Sequence, residues 1–418
     1  MTAASITTLV VIAIVGVLSP ILAELSGRLA VPEIVIQLLL GIIVGPAVLG
    51  LAHPDTIVNG LADLGLSFLM FLAGYELDLL RIRGRPLRLA AVGWVLSLAL
   101  ALGMAFGLVS TGLARDTVII GLALTTTALG TLLPVLRDAG VLKTPIGSFF
   151  LAVGTVGEFG PIVAVALLLT KKDPRLTTLL LLIFVAVAVA TALLATRPQP
   201  PRVVSILRRN LHSSAQLPVR VSLLLILLLV YLAYQLGLDV LLGAFAAGIV
   251  VRLFTEGEQS AVVRGKLEAV GYGFLVPIFF IVSGMHFDLK SLTDRPSALL
   301  RVPLFLALML VVRGTPALLL YRKVLPRNQR VPLALFSATA LPIIVVITAI
   351  GTAEGRIRPE NASALVAAGI LSVLLFPALG LGRLRATRFA FVHEASTDED
   401  ASGSGSTDMP PPDALGAP

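Results

Sequence analysis

An all-α polytopic membrane protein with about 13 transmembrane helices is the fold class this sequence predicts, and three observations predict it. Of the 418 residues, 57% are hydrophobic and only 13% charged, and the mean hydropathy is +0.98, outside the range of soluble globular chains. Apolar runs of about 17–25 residues recur from end to end, each long enough to cross a hydrocarbon core. Lys and Arg are confined to the short stretches between these runs, with one exception. Lipid cannot satisfy an open backbone, so every span must be helical.

In order, the predicted spans are roughly 5–23, 34–52, 61–79, 88–112, 117–136, 145–170, 176–196, 217–236, 238–254, 269–285, 297–321, 331–352 and 361–382. The first, MTAASITTLVVIAIVGVLSPILAEL, has no basic leader and no clear cleavage site, so it reads as a span and not as a signal peptide. With the N-terminus outside, 22 Lys and Arg fall in cytoplasmic loops, nine fall outside, and Arg313 lies within a span. The excess predicts a cell-membrane protein, N-terminus out and C-terminus in, with an odd number of spans. The polar stretch 255–268 is expected along the cytoplasmic surface. Residues 1–389 form the membrane domain, and 390–418, rich in Ser, Asp, Gly and Pro, form a disordered cytoplasmic tail.

Several functions are excluded. The net charge of +8 belongs to loops and does not imply nucleic acid. There is no cysteine, hence no thiol chemistry, and no glycine-rich phosphate loop. The four histidines lack metal-ligand spacing. No nucleophile–base constellation appears, so the chain is read as a non-enzyme without cofactor or resident metal.

The chain repeats itself. FLAGYELDL at 71–79 resembles FIVSGMHFDL at 280–289, placing Gly74 on Gly284 and Asp78 on Asp288. LALTTTAL at 122–129 resembles LALFSATAL at 333–341, placing Thr127 on Thr339 and Ala128 on Ala340. Both offsets separate spans seven apart. An odd separation inverts the matching helices, an architecture of secondary transporters. Repeat one covers about 5–170, a linker helix 176–196, and repeat two about 217–382.

Spans five and twelve are chemically alike. One carries Thr125, Thr126, Thr127, Gly130 and Pro134, the other Ser337, Thr339 and Pro342. Proline removes a backbone donor, and hydroxyls satisfy freed groups or reach an ion. Two broken crossover helices in corresponding positions point to a midplane site.

Two charges stand inside spans. Glu158 lies halfway along span six among Gly154, Gly157, Gly160 and Pro161, and the proline loosens the carbonyls one turn earlier. An ionisable group at that depth marks a pathway. Arg313, well beyond Arg301 along the same run and nine residues before Arg322, is too deep to reach either surface easily. It is the candidate partner of Glu158, or the charge that neutralises the negative ends of the broken helices. Burial disfavours the charged form of a carboxylate and a nearby arginine favours it. A group so balanced takes a proton or a hard monovalent cation, with hydroxyls and freed carbonyls as further ligands. Competition of two ions for one site is the elementary requirement of exchange. With Glu158 alone titrating, one proton trades for one monovalent cation and no net charge moves.

These residues carry a resemblance. LAELSGRLAVPEIVIQLLLGIIVGPAVLGL (22–51), LADLGLSFLMFLAGYELDL (61–79), TTTALGTLLPVLRDAGVLKTPIG (125–147) and FLVPIFFIVSGMHFDL (274–289) are similar to motifs of the monovalent cation:proton antiporter-2 family of the sodium/hydrogen exchanger superfamily. The likeness covers about residues 1–385. It implies the sodium/proton antiporter-like fold, a homodimer through an outer domain, elevator-like alternating access, and transport of Na⁺ or K⁺ against protons. It places Glu158 where the family usually has an ion-binding aspartate and Arg313 where it has a lysine or arginine. The sequence departs from the family at Gly157, where Asp, Asn or Gln usually precedes the acid. The alternatives are a channel-like potassium efflux protein of the same fold, an organic-anion symporter of a related inverted-repeat fold, and a non-transporting scaffold or sensor.

Overall fold

The computed structural model describes residues 3–26, 31–76, 84–168, 216–238, 240–255, 259–293 and 296–402, with parts of 179–191. The linker span expected at 176–196 and residue Asp78 fall wholly or mostly outside these. The described elements are helices: α1 (Ala3–Leu25), α2 (Glu33–Val44), α3 (Thr56–Glu76), α4 (Arg85–Ser110), α5 (Thr117–Leu124), α6 (Leu129–Asp138), α7 (Pro145–Leu168), α8 (Leu217–Leu236), α9 (Val240–Phe254), α10 (Gln259–Val270), α11 (Val276–Met285), α12 (Leu289–Thr293), α13 (Pro296–Leu320), α14 (Arg327–Ala338), α15 (Pro342–Ala353) and α16 (Pro359–Ser402). Among the described residues, nine helices are long and apolar enough to cross a membrane, and three more are shorter and apolar.

Some boundaries moved, each for a local reason. The second span was expected to run to residue 52, but α2 stops at Val44. The chain turns back there, with Leu49 N–H on Ile43 O and Leu51 N–H on Val44 O. The stretch 255–268 is not a segment separate from the span after it. From Gln259 it is helical, and α10 passes through a π-helical turn at Gly271–Leu275 into α11. Helix α16 continues to Ser402, into the stretch expected to be disordered, because no Gly or Pro interrupts 383–402.

The helices pack as two bundles. In the first, α3 lies on α9, α11 on α2 and α3, α8 on α9, and α1 on α2. In the second, α4 lies on α7 and α13, and α14 and α15 lie on α16. Each bundle draws on both halves of the chain. The halves cross in the first bundle at closely packed glycines. A Cβ on Gly74 would fall on Phe245 O, and one on Gly284 on Leu38 O. Likewise one on Gly248 would fall on Phe71 O, and one on Gly41 on Ile281 O. Backbones this close admit no side chain, as at small-residue helix crossings in membranes. Gly284→Leu is therefore expected to cost roughly 3 kcal/mol or more, overpacking a backbone that cannot yield. Detergent-solubilised protein would melt lower; an unchanged melting temperature would refute the close crossing.

Where the bundles meet, α7 touches α9. Phe159 packs on Phe245 there, with ring centroids 4.2 Å apart.

Candidate functional site

The two helix breaks touch each other at the middle of the second bundle. Helix α5 ends at Leu124 and α6 begins at Leu129; α14 ends at Ala338 and α15 begins at Pro342. The Ala128 N–H donates to Thr339 O at 2.8 Å, so the two repeat-related breaks bond directly to each other. The crossing thus brings together two helix C-termini, with partial negative charge, and two N-termini, with partial positive charge.

Threonines, not the glycine and proline downstream, make the first break. Thr125 Oγ1 donates to Leu122 O at 2.8 Å and Thr126 Oγ1 to Ala123 O at 2.9 Å, taking carbonyls that a continuing helix would use. Gly130 and Pro134, singled out as helix-breaking, lie inside α6. Pro342 opens α15, where its missing N–H costs nothing. Thr339 Oγ1 donates to Leu335 O at 3.1 Å. Having donated their protons, the Thr126 and Thr339 oxygens retain lone pairs.

Pro161 acts without breaking its helix, since α7 is continuous over Pro145–Leu168. A proline at 161 supplies no N–H for the carbonyl four residues earlier, which belongs to Gly157. Thr127 N–H takes that carbonyl at 2.9 Å. The proline in α7 therefore provides the acceptor that anchors the break between α5 and α6. The second break has a different anchor: Ala340 N–H donates to Ser372 Oγ at 3.0 Å.

Arg313, on α13, is 3% exposed and reaches into this crossing. Its Nη2 donates to Thr127 Oγ1 at 2.8 Å and to Val153 O at 3.3 Å. Nε donates to Thr127 Oγ1 at 3.1 Å and Ser337 O at 3.3 Å, and Nη1 to Ser97 Oγ at 3.3 Å. Thr127 Oγ1 donates its own proton to Ser337 O at 2.6 Å. All these acceptors are neutral oxygens, and Ser337 O belongs to the last turn of α14. A permanent positive charge thus sits against a helix C-terminus.

Glu158 is 6% exposed, one residue beyond the anchored Gly157. Among the described residues, no hydrogen bond or ion pair joins it to Arg313 or to another side chain. Among the same residues, the acid whose field reaches it is Glu76, at the end of α3. Glu76 is mostly buried, its side chain 16% exposed and 3.9 Å from Arg264. Arg264 also pairs with Glu268 at 2.6 Å.

At the His286 end of the bundles, two adjoining cavities of about 540 and 460 Å³ lie between them and share Ser283, His286, Ala349 and Ala353. At the opposite end of α3 stands the Glu76–Arg264–Glu268 group. His286 lies just beyond α11, where burial lowers its pKa and Asp63 opposes that shift.

Sequence reading missed Ser97, Ser337's backbone role and the Phe159–Phe245 contact. Ser97 had a signal: it is the lone hydroxyl between Arg88 and Ser110 in α4. The aromatic contact had none, since either ring reads as ordinary apolar filling.

Comparison with known proteins bears on the family and the fold. The family model described as "Sodium/hydrogen exchanger, transmembrane" matches residues 10–380. The chain is 28% identical to the putative Na(+)/H(+) antiporter YjbQ of Bacillus subtilis, over 89% of this chain and 62% of that protein. It is also 28% identical to the Na(+)/H(+)-K(+) antiporter GerN of Bacillus cereus, over 68% of this chain and 73% of the relative. The chain therefore spans less than two thirds of the first relative's length. The solved structure of the sodium proton antiporter MjNhaP1 from Methanocaldococcus jannaschii at pH 8 superposes with a TM-score of 0.64 at 17% identity, covering 92% of this chain and 98% of that one. At that identity the likeness concerns the fold.

Proposed function

The chain belongs to the sodium/hydrogen exchanger family, and from that premise we propose that it exchanges a monovalent cation, Na⁺ or K⁺, for protons across the cell membrane. Proton and cation compete for the Glu158 carboxylate, with Thr126, Thr127 and Thr339 near the ion and Arg313 compensating charge. The observation that carries the reading is that Glu158 is buried beside the crossed breaks with no cationic partner among the described residues, while Arg313 is occupied by neutral oxygens.

A buried carboxylate without a counter-ion is costly, so it takes whichever cation is at hand. Arginine stays charged throughout. The empty site then sums to zero, and the proton-loaded and metal-loaded sites each sum to plus one. A cycle that carries plus one in both directions moves no net charge. The named relatives are described as a putative Na(+)/H(+) antiporter and an Na(+)/H(+)-K(+) antiporter, which supports the substrate class. The cavities between the bundles at the His286 end support alternating access, with the second bundle moving against the first. By the loop charges, the His286 end faces outward and the C-terminus inward. The same reading includes a homodimer through the first bundle, whose α8 turns Leu224, Leu228, Tyr231 and Tyr234 outward.

Proteoliposomes holding an internal pH dye test it. A pulse of external Na⁺, K⁺ or Li⁺ is expected to drive proton exit, and the effective ion names the substrate. Current recorded from the same protein on a supported membrane is expected to stay at background. A cation-independent dye signal would remove the exchange reading and favour anion symport or a scaffold; a cation-driven current would remove electroneutrality alone.

A further inference from the structure

We propose that Gly157 is a positioning residue: its missing side chain is the socket that holds the Arg313 guanidinium on the crossed breaks and so keeps it off Glu158. The inference deepens the exchange reading and rests on it.

Three observations meet at this residue. The Gly157 carbonyl, left without a helical donor by Pro161, is held by Thr127 N–H at 2.9 Å, so α7 cannot turn Gly157 away from the break. A Cβ built on Gly157 would fall on Arg313 Nη2 and Thr127 Oγ1, and would come 2.8 Å from Thr127 Cβ. The guanidinium is itself fastened to Thr127, Ser337, Ser97 and Val153, so it yields only by giving up these bonds.

Glu158 is the next residue along α7. A guanidinium expelled from the socket remains buried in the same region, and a buried positive charge seeks a carboxylate. Glu158 has no partner among the described residues to compete with it. An arginine resting on Glu158 would then act as a tethered cation, occupying the site in place of the transported one. The glycine thus does two things at once. It lets Arg313 neutralise the C-terminal end of α14, and it leaves Glu158 free for exchangeable cations.

The signature is a coupling between positions 157 and 313. Gly157→Ala is expected to raise the half-saturating cation concentration by about tenfold or more, with a smaller change in maximal rate, because the expelled arginine competes with the ion. Arg313→Lys keeps the charge but has no Nη2 to collide with a Cβ, so it supplies the background in which that collision is absent, whatever its own rate. In the Arg313→Lys background, adding Gly157→Ala is expected to change half-saturation by a smaller factor than in wild type, the remainder coming from the contact with Thr127, a non-additivity that independent sites do not show.

The four proteins would be compared in the proteoliposome assay and melted in detergent. Equal effects of Gly157→Ala in both backgrounds would overturn the proposal, as would a wild-type-like Gly157→Ala protein or a loss confined to maximal rate. If Gly157→Ala fails to accumulate while the double variant accumulates, the collision with the guanidinium is shown by yield; if neither accumulates, the collision lies elsewhere and the proposal falls. If wild type itself moves no protons with any cation, the exchange reading fails separately. The melting cycle then decides the socket alone, non-additive shifts supporting it and additive ones overturning it.

Discussion

Glu158→Gln is expected to reduce cation-driven proton movement to the level of empty liposomes while leaving the fold intact. Glutamine has the same shape and keeps the bundle packed, but it cannot release a proton or offer a charged ligand. Since the carboxylate has no partner among the described residues, its neutralisation strands no neighbour, and thermal stability should stay within about 1 kcal/mol of wild type or rise. Glu158→Asp keeps the charge on an arm one methylene shorter. It is expected to retain exchange at a rate lower by about tenfold, as a misplaced ligand does. Residual exchange in Glu158→Gln near wild-type level would move the ion site elsewhere, with Glu76 the first acid to examine, since its field reaches Glu158.

Arg313→Met is expected to damage the fold itself. Methionine fills similar space but donates nothing, so Val153 O and Ser97 Oγ each lose a donor and Thr127 Oγ1 loses two. Unmet buried acceptors cost about 1–3 kcal/mol each, although Ser337 O keeps the bond from Thr127 Oγ1. The net loss should be roughly 3 kcal/mol or more on that scale, read as early melting in detergent and poor yield. Arg313→Lys retains one charge and three donors, and its stability should fall between. Exchange lost with melting unchanged would place Arg313's role on the ion and not on the breaks. Wild-type melting and wild-type exchange together would remove both roles.

Much of the site was legible in the sequence because its parts are rare in lipid. One acid and one arginine inside apolar runs identify themselves by cost alone. The two polar, proline-bearing spans at related offsets pointed to paired breaks, and the structure brings those very segments into contact through Ala128 and Thr339. Reading went astray where Gly and Pro were taken as the punctuation. In α6 the break precedes Gly130 and Pro134, because consecutive threonines capture carbonyls at 122 and 123 first. Pro161 was correctly felt to loosen a carbonyl, yet which donor would take it was not a local question.

The sequence by itself determined the class of protein, its all-helical architecture and the placing of Glu158 and Arg313 inside apolar helices. Each of these follows from the transfer cost of single residues and from period along one chain, which any short window carries. Only the tertiary structure decided that Arg313 serves the breaks through Thr127, Ser337, Ser97 and Val153 instead of pairing with Glu158. Neighbouring positions on a helix point about 100° apart, so Gly157 and not Glu158 meets the Arg313 guanidinium at the crossing. Which faces meet depends on how each helix is rotated against partners far along the chain, and that rotation is set by close backbone contacts such as Gly74 on Phe245 and Gly284 on Leu38.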